Sequence, residues 1–531
     1  MFHKYFEDYG YDSCTARGVC SISPRMASIF EVILLYLKEF ANYLIKLEKL
    51  GFDDDNVKNL ILNTLSAFVS NPELPDEVFA KVICTYSKEL TELKQKYIAK
   101  CKVFEITPEI LESEIDTEKS CDVIKSIRLG ERKYLSVLSK KDKFIHCVQE
   151  LVFFTAKSLA IYLIELNSLE QDSQSAFKTI LELLDSLNIT NIVPQDVKSL
   201  LQSAAEEEYL LVNLLANLRA EKFGKRQRAD VSFSTDVGNA ILVDGTNLKE
   251  LQEILDATKD KKINVYTHGE LISAHSYPQL KSYSHLKGHF GQGAGNSILD
   301  FSIFPGAVFV GRHSIDNIDN LYRGLIFTTD IIVPKGVVRI ENSDYSPLVK
   351  ASLKAKGFKK GKSVEPKTLN YSDEAIAEIF NNVDFDKYEA FCFITQGNDF
   401  YTDRNYFEKL LRVLPDDILV INFSSFYNND NVVNISAGYE LNPVYKVLSF
   451  LKEKNDIEEK PVIAFVPRCD KHITNLIINL LSLGVKKVFM GKCAAKNINP
   501  IVVDEFCNLF NVNKYENVKE DYKIFIDELT S

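Results

Sequence analysis

The spacing of hydrophobic residues changes character twice along the chain. Between residues 28 and about 223, apolar residues recur at steps of three and four, which is the period of amphipathic helices. The first helical stripe consists of Ile29, Ile33, Tyr36, Leu37, Phe40, Leu44 and Leu47. Gly51 ends this helix, and further helices are predicted at 53–69, 77–99, 142–168, 173–187 and 195–222. Long helices with short polar connections predict helical bundles.

After a basic run at 224–228, short continuous apolar runs alternate with helical patterns. Strands are predicted at 240–243, 262–267, 307–310, 325–333, 390–394, 418–422, 461–466 and 487–490. A lysine- and glycine-rich stretch at 354–367 separates the first four strands from the last four. Because strands that alternate with helices form parallel layers, these patterns predict two Rossmann-like α/β regions after the helical bundles. The fold class that we expect is therefore multidomain α and α/β.

The same patterns predict the domain boundaries. A chain of 531 residues is long enough for three or four domains with a sizeable core in each. We predict an N-terminal cysteine segment with a helical-bundle domain at 1–225 and an α/β domain at 226–360. A second Rossmann-like α/β domain is predicted at 361–531.

Composition and charge restrict the partners. The net charge of −11 argues against nucleic acid as the main partner, because phosphate binding needs a basic face. The most apolar run, at 151–164, is short of membrane-spanning length and contains Lys157. The first residues, MFHKYFEDYG, lack the pattern of a signal peptide. We therefore expect a cytoplasmic monomer or homodimer that binds neither nucleic acid nor membrane, with an unidentified small ligand or protein as partner.

The ten cysteines are scattered, and none of them form a C-x-x-C motif. In a long chain without a secretion signal, most cysteines are expected to be reduced and buried as small hydrophobic residues. Cys14 and Cys20 are close in sequence and precede the first predicted helix. Two thiols can begin a metal site, but they cannot complete a shell of four ligands.

The stretch at 265–277, VYTHGELISAHSY, is the central motif of the chain. A predicted strand ends there in His268-Gly-Glu270, which places ionisable groups at the carboxyl end of the strand, where open α/β sheets bind ligands. Three more histidines follow at His275, His285 and His289. A later strand leads into His313 and Ser314. These histidines either pack in loops and near helix ends or form part of a functional site.

Several segments in this region resemble one protein family. THGELISAHSYPQLKSYSHLKGHFG, FPGAVFV, LIFTT, VPKGVVRI and DYSPLV are similar to the hybrid-cluster proteins, also called prismane proteins or hydroxylamine reductases, and the match is densest over 240–348. The segment from Cys14 to Cys20 resembles the opening of that family. The resemblance covers essentially the whole chain. It implies helical bundles followed by two α/β domains, a fold shared with nickel carbon monoxide dehydrogenases, and an oxidoreductase activity that serves under nitrosative stress.

The resemblance also implies two iron–sulfur cofactors. The family's N-terminal cluster is held by four cysteines, but His3 and Phe6 occupy the first two matching positions and leave Cys14 and Cys20. The family's hybrid iron–sulfur–oxygen cluster is held by one histidine, two glutamates and four cysteines. Glu270 matches the first glutamate. Asp470 matches the second, with His472 two positions later.

The other five matching positions supply no thiolate. The histidine position falls on Thr246, and the cysteine positions fall on Ser314 or its neighbour His313, near Gly397, on Ser424 and near Leu441. Iron–sulfur assembly needs thiolates. We therefore expect the hybrid cluster to be absent. The cofactor expectation is none, or at most a residual N-terminal iron–sulfur cluster on Cys14 and Cys20 or a single metal in the interdomain pocket.

The remaining donors have oxygen and imidazole chemistry, which suits zinc, manganese or non-haem iron. The predicted ligands of a single metal are Glu270, His313, Asp470 and His472, in a pocket that also contains His268, Thr246, Ser314 and Ser424. Alternatively, these groups are hydrogen-bonded or solvated and bind no metal. The catalytic residues, if any, are not identified by the sequence.

Three functions remain open at this point. The chain is a degenerate relative of hydroxylamine reductase that lacks redox activity and acts by binding or regulation. Alternatively, it is an active oxidoreductase that reduces hydroxylamine or nitric oxide with a remodelled metal centre. The third possibility is a different, hydrolytic or ligand-binding protein that uses the histidine and carboxylate pocket. The fold follows from the resemblance, but function has to be argued from the site.

Overall fold

The computed structural model describes residues 24–530 with internal gaps. The residues that it does not describe are 1–23, 70–73, 116–120, 140–142, 190, 292–296, 315–324, 332, 334–335, 396–405, 424–430, 436–439, 454–459, 468–470, 492–499, 516–520 and 531. The chain forms two compact units. The first contains residues 1–167, 171–208 and 497–509, and the second contains 168–170, 209–496 and 510–531.

The first unit is helical. Its helices are α1 (Pro24–Lys49), α2 (Asp55–Ala67), α3 (Asp76–Val103), α4 (Val123–Ser139), α5 (Lys143–Ser168) and α6 (Gln174–Ser186), together with the first part of α7 (Pro194–Phe223). Side chains cap several of them: for example, Asp54 accepts a hydrogen bond from the Val57 amide, and Ser173 accepts one from the Ala176 amide. The predicted apolar stripe of α1 is fully buried, so the helical periodicity identified the core of this unit.

Helix α4 was not predicted from the sequence. Its apolar residues are interrupted by charged side chains and by Gly130, which lowers the helical signal. The structure explains this glycine. A Cβ atom at Gly130 would lie 2.0 Å from the carbonyl oxygen of Ser28 on α1, so the absence of a side chain lets the two helices pack closely.

One helical stretch, Cys147–Ser168 in α5, is long and apolar enough to cross a membrane by length and composition alone. However, 78% of its apolar window is buried inside the structure, as in the core helix of a water-soluble domain. Four of the described cysteines are buried and outside any disulfide: Cys101, Cys147, Cys392 and Cys507. Cys84 and Cys121 form a disulfide instead, which the sequence did not indicate.

The second unit contains two six-stranded parallel sheets, and each has the Rossmann strand order. The first sheet has the order β4-β3-β2-β5-β6-β7 and consists of β2 (Asn239–Asp244), β3 (Ile263–Thr267), β4 (Leu286–His289), β5 (Ala307–Val310), β6 (Ile326–Thr328) and β7 (Val338–Arg339). Strands β5 and β6 are buried along their whole length and β2 is buried from Ala240 onward, as expected of parallel strands covered on both faces. The predicted fold class is confirmed.

The second sheet repeats this order as β11-β10-β9-β12-β13-β14. Its strands are β9 (Ala390–Ile394), β10 (Ile418–Asn422), β11 (Val432–Asn434), β12 (Val462–Val466), β13 (Lys487–Met490) and β14 (Asn513–Lys514). A small antiparallel pair, β1 (Ala229–Val231) with β8 (Lys367–Leu369), completes the strands described in this unit. The short edge strands β4, β7, β11 and β14 were not predicted, because runs of two to four residues carry little periodic signal.

The helices described in the second unit connect these strands. They are α8 (Leu248–Thr258), α9 (Pro278–Lys281), α10 (Ser297–Ile303), α11 (Ser346–Lys354), α12 (Asp373–Asn381), α13 (Tyr406–Leu411), α14 (Asn442–Glu453), α15 (Ile473–Ser482), α16 (Pro500–Phe510, mostly in the first unit) and α17 (Asp521–Thr530), with 3₁₀ helices at Gly269–Ser276 and Phe385–Lys387. Both sheets belong to one compact unit, and the division between the units falls inside α7. The three-domain division of the sequence therefore stays a prediction.

Candidate functional site

The carboxyl ends of four neighbouring strands meet at one edge of the first sheet. The register pairs Val243 with Thr267, Asp244 with Val310, and Val310 with Thr328. The strand order reverses between β2 and β5, which is the switch point where doubly wound sheets bind ligands. The residues that follow these strand ends are therefore the candidate functional site.

Two glycines bring the backbones that follow β2 and β5 close together at this switch point. Gly245 has a φ of +140°, and a Cβ atom on it would lie 3.2 Å from the Cα atom of Gly311. The turn then enters α8, where the side chain of Asn247 accepts hydrogen bonds from the amides of Lys249 and Glu250. The sequence Asp-Gly-Thr-Asn is thus a strand-to-helix turn with its own cap.

His268 is fully buried between two carboxylates. Its Nδ1 atom lies 2.8 Å from Asp244 Oδ1, and its Nε2 atom lies 3.1 Å from Asp300 Oδ2 on α10. Burial alone lowers the pKa of His268, but the hydrogen bonds and charges of the two aspartates outweigh it and raise the pKa to about 9. Because carboxylates only accept hydrogen bonds, both ring nitrogens carry protons, and His268 is a fixed buried cation.

Gly291 makes room for this arrangement. It has a φ of +86°, and a Cβ atom there would lie 2.3 Å from Asp300 Oδ2 and 3.0 Å from His268 Cδ2. Phe301 on α10 meets the His268 ring edge-on, with centroids 5.2 Å apart. The absence of a side chain at Gly291 therefore lets the Asp300 carboxylate approach His268.

Two further buried histidines share one hydroxyl group. Thr267 Oγ1 lies 2.9 Å from His275 Nε2 and 2.9 Å from His289 Nδ1. Burial lowers the pKa of His275 to about 4, and burial followed by the charge of His268 holds the pKa of His289 well below its ordinary value. Both rings are therefore neutral. The hydroxyl has one proton, so it donates to one ring and accepts from the other.

A second group of ionisable residues lies at the ends of β5 and β6. Burial raises the pKa of Glu250 to about 7, although the Thr329 hydroxyl and the Arg312 amide donate to its carboxylate. Burial likewise raises the pKa of Asp330 to about 6, while Asp330 accepts hydrogen bonds from the amides of His313 and Ile331. Shifted acids at strand ends are typical of functional sites, although ion-pair networks produce similar shifts.

His313 holds an unusual backbone conformation beside these acids. Its φ of +69° lies in the left-handed region, which costs a non-glycine residue energy and is frequent at functional sites. Burial, followed by the charges of Arg312, Lys471 and His472, keeps the pKa of His313 well below its ordinary value. His313 and His472 are therefore close enough to interact electrostatically.

An ion-pair network lies beside two of the predicted cluster positions. The carboxylate of Glu440 accepts hydrogen bonds from Arg219 Nη1 at 3.2 Å and from Arg226 Nη1 at 2.8 Å. Arg219 Nη2 also donates to the carbonyl of Thr246 at 3.3 Å, and Glu440 directly precedes Leu441. The polar groups next to Thr246 and Leu441 are thus the guanidinium groups of two arginines and the carboxylate of Glu440.

The structure describes some of the predicted site residues, and others lie outside the described residues. Glu270 is half-buried in the 3₁₀ helix Gly269–Ser276, and Thr246 and Ser314 are half-buried at the ends of β2 and β5. His472 is buried at the start of α15. The positions that lie outside the described residues are His3, Phe6, Cys14, Cys20, Gly397, Ser424 and Asp470. Among the residues that are described, no three His, Cys, Asp or Glu side chains converge in a way that could hold a metal ion. The four-ligand metal site stays a prediction.

Several functional-site residues were missed by sequence reasoning. Asp244 directly follows a predicted strand, so its position at the sheet edge carried a usable signal. Asp300, Glu250 and Asp330 carried no such signal, because their neighbours are separated from them by many residues in sequence.

A groove of about 690 Å³ lies at the opposite edge of the sheet, near the amino ends of β3 and β4, and contains Tyr283, His285 and three lysines. The predicted site residues do not line this groove.

The helices, the two Rossmann sheets and the histidines at the switch point define a protein of the mixed α and α/β class. Comparison with known proteins identifies its family. A family model described as Prismane/CO dehydrogenase family matches residues 10–437, and the chain belongs to this family. It is 24% identical to a hydroxylamine reductase of Kosmotoga olearia, over 97% of both chains. It is 24% identical to a hydroxylamine reductase of Halothermothrix orenii, over 96% of both chains.

A solved structure supports the same fold. It is described as NiZn[Fe4S4] and NiNi[Fe4S4] clusters in closed and open alpha subunits of acetyl-CoA synthase/carbon monoxide dehydrogenase. The TM-score is 0.50 at 11% sequence identity, with 98% of this chain and 84% of that chain covered. At this identity the likeness concerns the fold alone.

These comparisons correct the cofactor expectation. The expectation of no cofactor, or at most a residual cluster or single metal, is wrong at the level of the family, because the family and its structural neighbour point to iron–sulfur clusters. The expectation rested on the absence of thiols at the matching ligand positions alone. The chain has ten cysteines, and Cys14, Cys20, Cys469 and Cys493 lie outside the described residues.

The donor set at the hybrid-cluster position can be tested separately. Thr246, Ser314 and Leu441 offer hydroxyl groups and an alkyl chain, whereas cluster assembly needs thiolates. The neighbouring guanidinium groups of Arg219 and Arg226 are paired with the carboxylate of Glu440. Thr246, Ser314 and Leu441 therefore supply no thiolate for a cluster.

Proposed function

We propose that this chain is a divergent relative of hydroxylamine reductase that does not reduce hydroxylamine at a hybrid cluster and acts by binding or regulation. The observation that carries the proposal is the network of Arg219, Glu440 and Arg226 beside Thr246 and Leu441. In the family these two positions supply a histidine and a cysteine. Here the neighbouring groups are ion-paired, Glu270 keeps the expected glutamate, and Asp470 keeps a carboxylate in place of the second glutamate. An iron–sulfur cluster on other cysteines is compatible with the proposal.

The partner that we propose is a small ligand or a protein in the cytoplasm. The net charge of −11 does not suit nucleic acid or an anionic membrane surface. The switch point between β2 and β5 is the place where a small ligand would bind, because the strand order reverses there.

The test is an anaerobic assay of the full chain. The protein is purified without air, its iron and acid-labile sulfide are measured, and the oxidation of a reduced viologen dye by hydroxylamine is followed. We expect no hydroxylamine-dependent rate above that of the buffer, whatever iron the protein contains. A steady turnover that is lost in Glu270→Gln and kept in Glu341→Gln, at an exposed site, would refute the proposal.

The second candidate is an active oxidoreductase with a remodelled metal centre. It is supported by full-length similarity to proteins named hydroxylamine reductase and by the proximity of His313 to His472. The same assay distinguishes the two candidates. Turnover of hydroxylamine or nitric oxide that depends on a bound metal, measured in the same preparation by mass spectrometry, supports the second candidate and excludes the first.

A further inference from the structure

The disulfide between Cys84 and Cys121 lies in the helical unit. Cys84 is on α3, and Cys121 lies two residues before α4. Their Cα atoms are 4.8 Å apart, within the normal range for a disulfide, although 37 positions separate them in sequence. The bond therefore joins α3 to the residue that lies two positions before the start of α4.

The two sulfur atoms differ from the other described thiols in their accessibility. Cys121 is exposed and Cys84 is half-buried, whereas Cys101, Cys147, Cys392 and Cys507 are buried. Burial raises the pKa of the Cys147 thiol to about 12, and it also raises the pKa of Cys392. Thiolate chemistry needs access and an ionisable thiol, so among the described cysteines it is confined to this pair.

The local structure favours exchange at Cys121. The residue next to it, Asp122, accepts a hydrogen bond from the Lys125 amide in the first turn of α4. Cys121 therefore lies at the positive end of a helix of 17 residues, which favours the thiolate form. A stabilised thiolate is also the better leaving group when Cys121 is released from a mixed disulfide with a small thiol.

The disulfide is one of the contacts that hold α4 in place, and it connects the start of this helix to α3. That helix already packs on α1 where Gly130 meets Ser28. The segment before Cys121 is held separately, because the Glu109 amide donates to Tyr97 and the Leu111 amide donates to Tyr43. Opening the disulfide would release the first turn of α4 and leave these other contacts intact.

We propose that Cys84 and Cys121 form a redox-responsive thiol–disulfide site that exchanges with small thiols and their disulfides. The thiolate of a small thiol attacks the exposed Cys121 sulfur, the bond to Cys84 breaks, and Cys84 leaves as a thiolate that takes a proton. A second small thiol attacks the mixed disulfide and releases Cys121 as a thiol. The net reaction converts one protein disulfide and two small thiols into two protein thiols and one small disulfide.

The experiment uses the full chain in buffers of different ratios of reduced to oxidised glutathione. Free thiols are trapped with N-ethylmaleimide, and the peptides are measured by mass spectrometry. We expect the peptides of Cys84 and Cys121 to change together from linked to alkylated as reduced glutathione increases. The melting temperature of the helical unit should fall by about 5–15 °C on reduction. Cys121→Ser should remove this difference, and Cys101→Ser, on the same helix as Cys84, should keep it.

Two outcomes would overturn the proposal. If both peptides are alkylated in fully oxidised glutathione, the bond does not form. If they stay linked in the folded protein under a large excess of reduced glutathione, the bond is a permanent staple. Cys121→Ser alters an exposed position and is expected to fold. Should Cys84→Ser fold as well, it must give the same result as Cys121→Ser, since either thiol is required for the bond.

Discussion

His268 Nδ1 lies 2.8 Å from Asp244 Oδ1 and joins the carboxyl ends of two neighbouring parallel strands. The other ring nitrogen faces Asp300 on a helix that begins 53 residues after the first strand ends, counting from Asp244 to Ser297. Three separate segments are thus held by one buried imidazolium ion. A charged group of this kind strengthens the structure only while both partners remain in place.

His268→Gln should lower the free energy of unfolding by about 3 kcal/mol, because two buried carboxylates lose their shared cation. The measurement is urea unfolding at pH 6.5. His285→Gln is the matched control: His285 is half-buried and bonds to Thr258 and the Leu255 carbonyl, so its loss should cost about 1 kcal/mol. Equal losses in the two variants would contradict the assigned role of His268.

The contribution of His268 should also depend on pH. The pKa of His268 is about 9 in the folded protein and near its ordinary value of 6.5 when unfolded. A raised histidine pKa stabilises the fold fully below pH 6.5, and this contribution is lost as pH rises through 9. The gap in stability between wild type and His268→Gln should therefore narrow by about 3 kcal/mol between pH 6.5 and 9. A constant gap would show that His268 is neutral.

Glu250→Gln should raise the stability of the protein at pH 8, whereas His268→Gln should lower stability. The pKa of Glu250 rises from 4.5 to about 7 on folding, so the folded state holds a proton that the unfolded state releases. Stability therefore falls as pH rises from 4.5 to 7. The variant keeps an acceptor for Thr329 and should be more stable than wild type by about 1–3 kcal/mol at pH 8, with little difference at pH 4.5. A variant less stable than wild type at pH 8 would contradict this.

Gly291→Ala should destabilise the protein more than Gly51→Ala. Both glycines have a positive φ, +86° and +78°, so both substitutions carry a similar backbone cost of about 1–2 kcal/mol. A Cβ atom at Gly51 meets nothing within 4 Å, whereas at Gly291 it overlaps the Asp300 carboxylate. We expect about 2 kcal/mol of additional loss at Gly291, measured by thermal or urea unfolding. Similar losses would mean that Asp300 moves away at no cost.

Glu440→Gln should lower the free energy of unfolding by about 3–5 kcal/mol, because two largely buried guanidinium groups lose their shared carboxylate. The surface pair of Arg228 and Glu378 is the control, and Glu378→Gln should change stability by less than about 1 kcal/mol. Chemical unfolding at pH 7 measures both. A small effect at Glu440 would indicate that water reaches this network.

The elements of the fold were readable from the sequence to the extent that they are long and periodic. The stripe of α1, the strands β2, β3, β5, β9, β10, β12 and β13, and the helix after Asn247 all lie close to their predicted positions. The edge strands were missed, as was α4. Their signals are short or interrupted by Gly130 and charged residues, and tertiary packing supplies what their periodicity lacks.

The candidate site was predicted in part. The sequence by itself determined that His268, Glu270 and His313 follow parallel strands, because a buried strand ending in polar residues has a local signature. Only the tertiary structure decided that Asp300 reaches His268, that Glu440 lies beside Thr246, and that Cys84 meets Cys121. Those partners are separated by 32, 194 and 37 positions, counted from their numbers. Local spacing specifies the type of each element, whereas contacts between distant segments depend on sheet register and helix packing, which no local pattern encodes.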